Sequence, residues 1–180
     1  MKEDIIMAGF GGQGIMTMGQ LLAYAGLKES KNVLWMPAYG PETRGGFANC
    51  TVIFSDAEIG SPVVSQPKYL IVLNNPSLDK FENSVLPQGF LFVNTSLVNR
   101  NVVREDIKVI KMPASDIANE LGNAKVTNII ALGAFIEKTK LVKLETVKKI
   151  LQEKFKGRES IIEMNLQAIE KGAEIIRKNN

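Results

Sequence analysis

The sequence contains no histidine and only one cysteine, Cys50. The first absence removes Ser–His and Cys–His catalytic pairs and histidine metal sites. The second removes an internal disulfide, a cysteine-rich zinc site and an iron–sulfur cluster held by this chain alone. A lone thiol fits a reducing compartment, so the expected location is the cytoplasm. No apolar run approaches the ~20 residues that cross a bilayer, and no membrane span is expected. Met1-Lys2-Glu3-Asp4 leads into a short apolar run without a cleavage-type pattern, so no signal peptide is expected either. The excess of 22 basic over 19 acidic residues gives a net charge of +3, too mild to indicate nucleic-acid binding. The lysines are concentrated in the last third, where they read as solvated helix faces.

What is present points to one α/β domain spanning residues 1–180. Hydrophobic residues are 45% and charged residues 23% of the chain, an ordinary globular balance. Asp4 to Ala8 reads as a short buried strand. Ile15, Met18, Leu22 and Ala25 then recur at helical spacing, predicting a helix from near Gly14 to near Glu29. Val33 to Met36 reads as the next strand, completing a strand–helix–strand unit of adjacent parallel strands. Asn49 to Phe54 is expected as a strand with Cys50, Val52 and Phe54 on one face and Cys50 as an inert buried thiol. A return strand near Ile59 would make an antiparallel hairpin around Asn49 to Ser61. Further strands are expected at Lys68–Leu73, Phe90–Val93 and Asp106–Met112. Helices are expected at Asn75–Val85, Ser115–Leu121, Val126–Thr139, Leu144–Phe155 and Ser160–Lys178. The sum is a three-layer, Rossmann-like α/β fold with a mostly parallel sheet and C-terminal helices.

Two loops stand out. Gly9, Gly11 and Gly14 fit G-x-G-x-x-G in the right place, after a strand and at the start of a helix. Glycines there permit positive φ and close approach of a ligand, and the helix start offers N–H groups to an anion. Gln13 places a polar side chain at the same point. The dinucleotide fingerprint is incomplete, because the second strand ends Trp35-Met36-Pro37-Ala38-Tyr39 without a carboxylate to hold a ribose. The bland reading is a tight strand-to-helix turn with no ligand. The second loop, within PAYGPETRGGFA, has two prolines and three glycines in twelve positions. Arg44 suits forked contact with a carboxylate or phosphate, whereas a Glu42–Arg44 pair on a surface turn is the bland alternative. Both loops leave the same end of the expected sheet and should face one crevice. Asn74-Asn75 reach the same side as ligand contacts or helix caps. Asn128 reads equally as a ligand contact or a satisfied core group.

GFGGQG at Gly9–Gly14 followed by YGPETRGG at Tyr39–Gly46 resembles the γ subunit of the 2-oxoacid:ferredoxin oxidoreductases, over nearly the whole chain. The tyrosine-containing second motif looks most like the 2-oxoglutarate type, ahead of the branched-chain and pyruvate types. The resemblance implies a subunit of an enzyme complex of the EC 1.2.7 class. Such complexes oxidatively decarboxylate a 2-oxoacid with coenzyme A, giving acyl-CoA, CO2 and reduced ferredoxin. Thiamine diphosphate, magnesium and iron–sulfur clusters are then expected on partner subunits, with ferredoxin as electron acceptor. The absence of a Gly-Asp-Gly motif agrees with that division of labour. No catalytic residue and no metal ligand is expected on this chain. Its expected binding residues, with coenzyme A as the candidate ligand, are Gly9, Gly11, Gly12, Gln13 and Gly14 in the first loop and Tyr39, Glu42, Arg44 and Gly45 in the second. The alternatives are a stand-alone Rossmann-like nucleotide-binding module or dehydrogenase, and a purely structural assembly subunit.

Overall fold

The computed structural model describes residues 2–39 and 46–179. Strand β1 (Lys2–Phe10) leads through the glycine loop into helix α1 (Ile15–Lys28), followed by β2 (Asn32–Tyr39) and β3 (Phe47–Ser55). Next come β4 (Tyr69–Val72), α2 (Asn75–Phe81), β5 (Phe90–Asn94), β6 (Lys108–Met112) and α3 (Ala114–Glu120). The chain then runs through α4 (Thr127–Thr139), α5 (Leu144–Lys154) and α6 (Glu159–Lys178). The six strands form one sheet in the order β2-β3-β1-β4-β5-β6. The β1–β4, β4–β5 and β5–β6 pairings are parallel, while β3 is antiparallel to both neighbours.

This order corrects two expectations from the sequence. β1 and β2 are not adjacent, because β3 lies between them, pairing with β1 from Lys2↔Ser55 to Phe10↔Phe47. The hairpin is also displaced: it is formed by β2 and β3, and no strand follows Ser55 before Tyr69. Both outcomes share a cause. Once β1 and β2 occupy the two edges of β3, a return strand after Ser55 has no free edge to pair with. The exposed Asp56, Ala57 and Glu58 accordingly bury no face that a strand could use.

Alternation along the strands assigns their side chains to two faces. Ile5 and Met7 of β1, with Cys50, Val52 and Phe54 of β3, pack into the core shared with α1 and α4. Ile6, Leu70, Val72, Leu91 and Val93 face the other way and are covered by Leu78 of α2 with Val85, Val98 and Ile107. The second covering is thin, and a buried carboxylate fastens it. Glu82 is 2% exposed; its Oε1 accepts the N–H groups of Val103 at 2.5 Å and Arg104 at 3.1 Å, and Arg100 lies 2.8 Å from Oε2.

On the first face α4 is buried on nearly every side, as its sequence predicts, because the sheet lies on one side and α6 on the other. The two helices touch backbone to backbone. A side chain at Gly172 would run into the Ile130 carbonyl, and one at Gly133 into that of Ile169. Each obstacle is main chain, which cannot rotate aside. No helix of the described residues is long and apolar enough to cross a membrane.

Cys50 lies wholly inside this face, its Sγ 3.5 Å from the Ile15 carbonyl it donates to. Burial pushes the thiol up to about 12. The folded state then holds its proton where the unfolded chain, at the ordinary value of 9.0, has lost it. The group's contribution to stability is complete below that value and declines between it and about 12.

Two outcomes follow from this packing. Gly172→Ala should lower unfolding free energy by about 1–3 kcal/mol or more, as overpacking of a close contact does; denaturant titration measures it. Cys50 should not react with a disulfide reagent at pH 8 until denaturant unfolds the chain. Fast labelling of the folded protein would contradict its assignment as a core thiol.

Candidate functional site at the carboxyl ends of the strands

β1, β4 and β5 all point their carboxyl ends to one edge of the sheet, and a polar side chain lies at or shortly beyond each end: Gln13, Asn74 and Asn94. At the end of β1 the chain turns sharply through Gly11 and Gly12 and enters α1 at Gly14. Gly14 is left-handed, with φ 74° and ψ 23°, a conformation that favours glycine. A side chain there would also collide with the amide of Asn128 on α4. That amide donates through Nδ2 to the Gly14 carbonyl at 3.0 Å, which locks the start of α1 to α4. Asn128 is 4% exposed and its Oδ1 has no partner among the described residues. The structure thus places Asn128 against the glycine loop, as a group that holds the loop's backbone.

The helix start is electrostatically open. It has no side-chain cap and no acidic residue in its first turn. Backbone N–H groups and the positive end of the helix dipole are therefore available to an acceptor. Gln13 stands beside it. Its backbone N–H donates to the Phe10 carbonyl at 3.1 Å, and its side-chain Oε1 accepts the Phe10 N–H at 2.6 Å. Oε1 also accepts Asn74 Nδ2 at 3.1 Å. The loop is thus held by side-chain as well as backbone contacts, which the reading of it as a simple tight turn does not require.

The same edge carries two more amides. Asn74, at the end of β4, caps α2 by accepting the Ser77 N–H at 2.9 Å. The helix-cap reading made for it from sequence therefore holds, and its Nδ2 donates to Gln13 Oε1 as well. Its neighbour Asn75 serves the other face, pairing with Asn99 at 2.7 Å. Asn94, at the end of β5, was not picked out from sequence. It is wholly buried, donates to the Leu73 carbonyl at 3.2 Å and to Ser115 Oγ at 2.9 Å, and accepts the Ser115 N–H at 3.2 Å. The signal for it was available: both apolar runs, YLIVL and FLFV, end in asparagine.

The expected meeting of the two loops is present at their described ends. The Gly11 N–H donates to the Gly46 carbonyl at 2.7 Å, and the main chain of Tyr39 pairs with Ala48 at the end of β2. Glu42, Arg44, Gly45 and the side chain of Tyr39 lie outside the described residues. Gly9, Gly11, Gly12, Gln13 and Gly14 are gathered at one strand-to-helix junction. The dinucleotide reading loses further ground. Besides lacking the carboxylate, β2 is separated from β1 by β3, so its end does not lie beside the glycine loop as the second strand of a dinucleotide fold does. Among the described residues there is no group of three His, Cys, Asp or Glu placed to hold a metal ion.

Residues 4–175 match the family model described as pyruvate ferredoxin/flavodoxin oxidoreductase. The chain is 38% identical to ketoisovalerate oxidoreductase subunit VorA of Methanothermobacter thermautotrophicus over 96% of its own length, and it spans 36% of that longer relative. It is 36% identical to 2-oxoglutarate synthase subunit KorC of Methanocaldococcus jannaschii, covering 99% of this chain and 96% of the relative. Among solved structures it resembles the gamma subunit of a keto/oxoacid ferredoxin oxidoreductase from Geobacter sulfurreducens. That likeness has a TM-score of 0.85 at 28% identity and covers 99% of this chain and 98% of the other. Sequence match, fold match and the paired loop motifs agree, and the chain belongs to the pyruvate ferredoxin/flavodoxin oxidoreductase family, as a domain of the gamma-subunit kind.

Proposed function

We propose that this chain, as one domain over residues 1–180, is the gamma component of a cytoplasmic 2-oxoacid:ferredoxin oxidoreductase. The complex oxidatively decarboxylates a 2-oxoacid with coenzyme A and passes the electrons to ferredoxin. Thiamine diphosphate, magnesium and the iron–sulfur clusters belong to partner subunits in this reading. The chain's one thiol is buried and held protonated, which does not fit a cluster ligand. The part given to this chain is to receive the phosphates of coenzyme A at the glycine loop and at Tyr39, Glu42, Arg44 and Gly45. One observation carries that role: an uncapped helix start with no acidic residue in its first turn, beside a Gln13 whose carbonyl is turned inward onto Phe10 and Asn74. What remains outward is a set of N–H donors, which suits phosphate oxygens.

For the 2-oxoacid we propose 2-oxoglutarate. The tyrosine-containing second motif supports it, as does the KorC relative; the VorA relative makes ketoisovalerate the competing substrate. The deciding experiment is anaerobic capture of the tagged chain with its partners, followed by assay with 2-oxoglutarate, ketoisovalerate and pyruvate. Recovery with thiamine diphosphate and iron–sulfur proteins and turnover of 2-oxoglutarate are expected. A chain recovered alone, holding a nucleotide, would sink the proposal.

Within the assembled complex, Arg44→Ala should weaken coenzyme A use by about 1.5–3 kcal/mol, the range for a charged hydrogen bond. Gln13→Ala should raise KM for coenzyme A about tenfold on the same ground. Steady-state kinetics with coenzyme A varied checks both, and KM for the 2-oxoacid should stay unchanged.

A further inference from the structure

Asn74 closes the apolar run of β4 and is 2% exposed. Its two amide atoms do different work. Oδ1 accepts the Ser77 N–H at 2.9 Å, and Nδ2 donates to Gln13 Oε1 at 3.1 Å. Neither amide has an ambiguous orientation. A backbone N–H only donates, so the Phe10 amide, 2.6 Å away, identifies the inner atom of Gln13 as its oxygen. The Ser77 amide does the same for Asn74. Gln13 Oε1 thus has both its acceptor positions filled from within the protein. Nε2, on the other side of the same planar group, faces away from Phe10 and Asn74.

We propose that Asn74 is a positioning residue: by holding Gln13 Oε1 inward it makes the glycine loop show a donor edge, Gln13 Nε2, to the phosphate oxygens of its ligand. This rests on the reading above that the loop receives coenzyme A. The cap and the hold on Gln13 are separable by substitution. In Asn74→Asp the cap survives, because aspartate is an equally good N-cap and its charge suits the start of α2. The donor does not survive, because a carboxylate only accepts. A carboxylate there sets acceptor against Gln13 Oε1, while the Phe10 N–H opposes turning Nε2 inward, so the Gln13 side chain is driven off its position and Nε2 is no longer held toward the ligand. Asn74→Ser also keeps a capping hydroxyl, is too short to reach Gln13, and brings no added charge. It therefore isolates the loss of the hold from the electrostatic effect of aspartate.

The test uses the assembled complex, purified anaerobically, with Asn74→Asp, Asn74→Ser, Gln13→Ala and the Asn74→Ser/Gln13→Ala double variant. The readouts are KM for coenzyme A, KM for the 2-oxoacid, kcat and the melting temperature. Both Asn74 variants should raise KM for coenzyme A about tenfold, the effect of losing one hydrogen bond to a charged group. KM for the 2-oxoacid and kcat at saturating coenzyme A should stay as in the unmodified complex, and Asn74→Ser, which buries no charge, should also keep its melting temperature. The double variant should be no worse than Gln13→Ala alone, since the two residues act as one unit. If Gln13→Ala raises KM while both Asn74 variants leave it unchanged, the positioning role is overturned and the coenzyme A reading stands. A lowered melting temperature with unchanged KM reduces Asn74 to a helix cap and equally overturns the role. If none of the variants moves KM for coenzyme A, the reading of the glycine loop fails, and the role of Asn74 with it.

Discussion

The structure depends on β1 being paired along both edges. β3 covers its whole length on one side, and β4 is in register with Ile5 to Ala8 on the other. That double pairing buries the strand that ends in the glycine loop, so the loop leaves from backbone held on both edges. It also brings the beginning of β3 beside the end of β1, which lets the Gly11 amide reach the Gly46 carbonyl. The first motif and the described end of the second, Gly46, some thirty positions on, become neighbours through this pairing.

Much of this was legible in the sequence. Helix positions followed from apolar spacing, and the boundaries of α1, α4, α5 and α6 fall within a residue or two of those expected. The strands at YLIV and FLFV were equally plain, being short apolar runs between turn residues. Strand order was not legible. Periodicity tells which face of a strand is buried but says nothing about which strand lies beside it. The placing of β3 between β1 and β2 is settled by the competition of whole strands for two edges. The displaced hairpin follows from that same competition.

The site divides along similar lines. The glycines and Gln13 were recognisable because their spacing is local and the motif has a physical rationale. Asn74 was readable as a helix cap, but its hold on Gln13 was not, nor was the hold of Asn128 on the glycine loop. Asn128 lies 114 positions from the Gly14 carbonyl it holds, and Asn74 lies 61 from Gln13. Asn94 went unnoticed since an asparagine after an apolar strand looks like an ordinary turn residue. Its burial between the ends of β4 and α3 is a tertiary fact.

The strand order has a further consequence for how this chain meets other chains. The outermost strands are β2 and β6. β2 contains Pro37, which has no N–H to offer a newcomer, and β6 carries Lys108 and Lys111, both exposed. Proline and lysine on outer strands blunt the edge-to-edge joining by which sheets aggregate. Lateral growth of this sheet into a neighbour's is thus discouraged at both ends. What remains for specific association are helix flanks and the loop-bearing ends of the strands, so the surface proposed for the ligand is also among those free to meet another polypeptide.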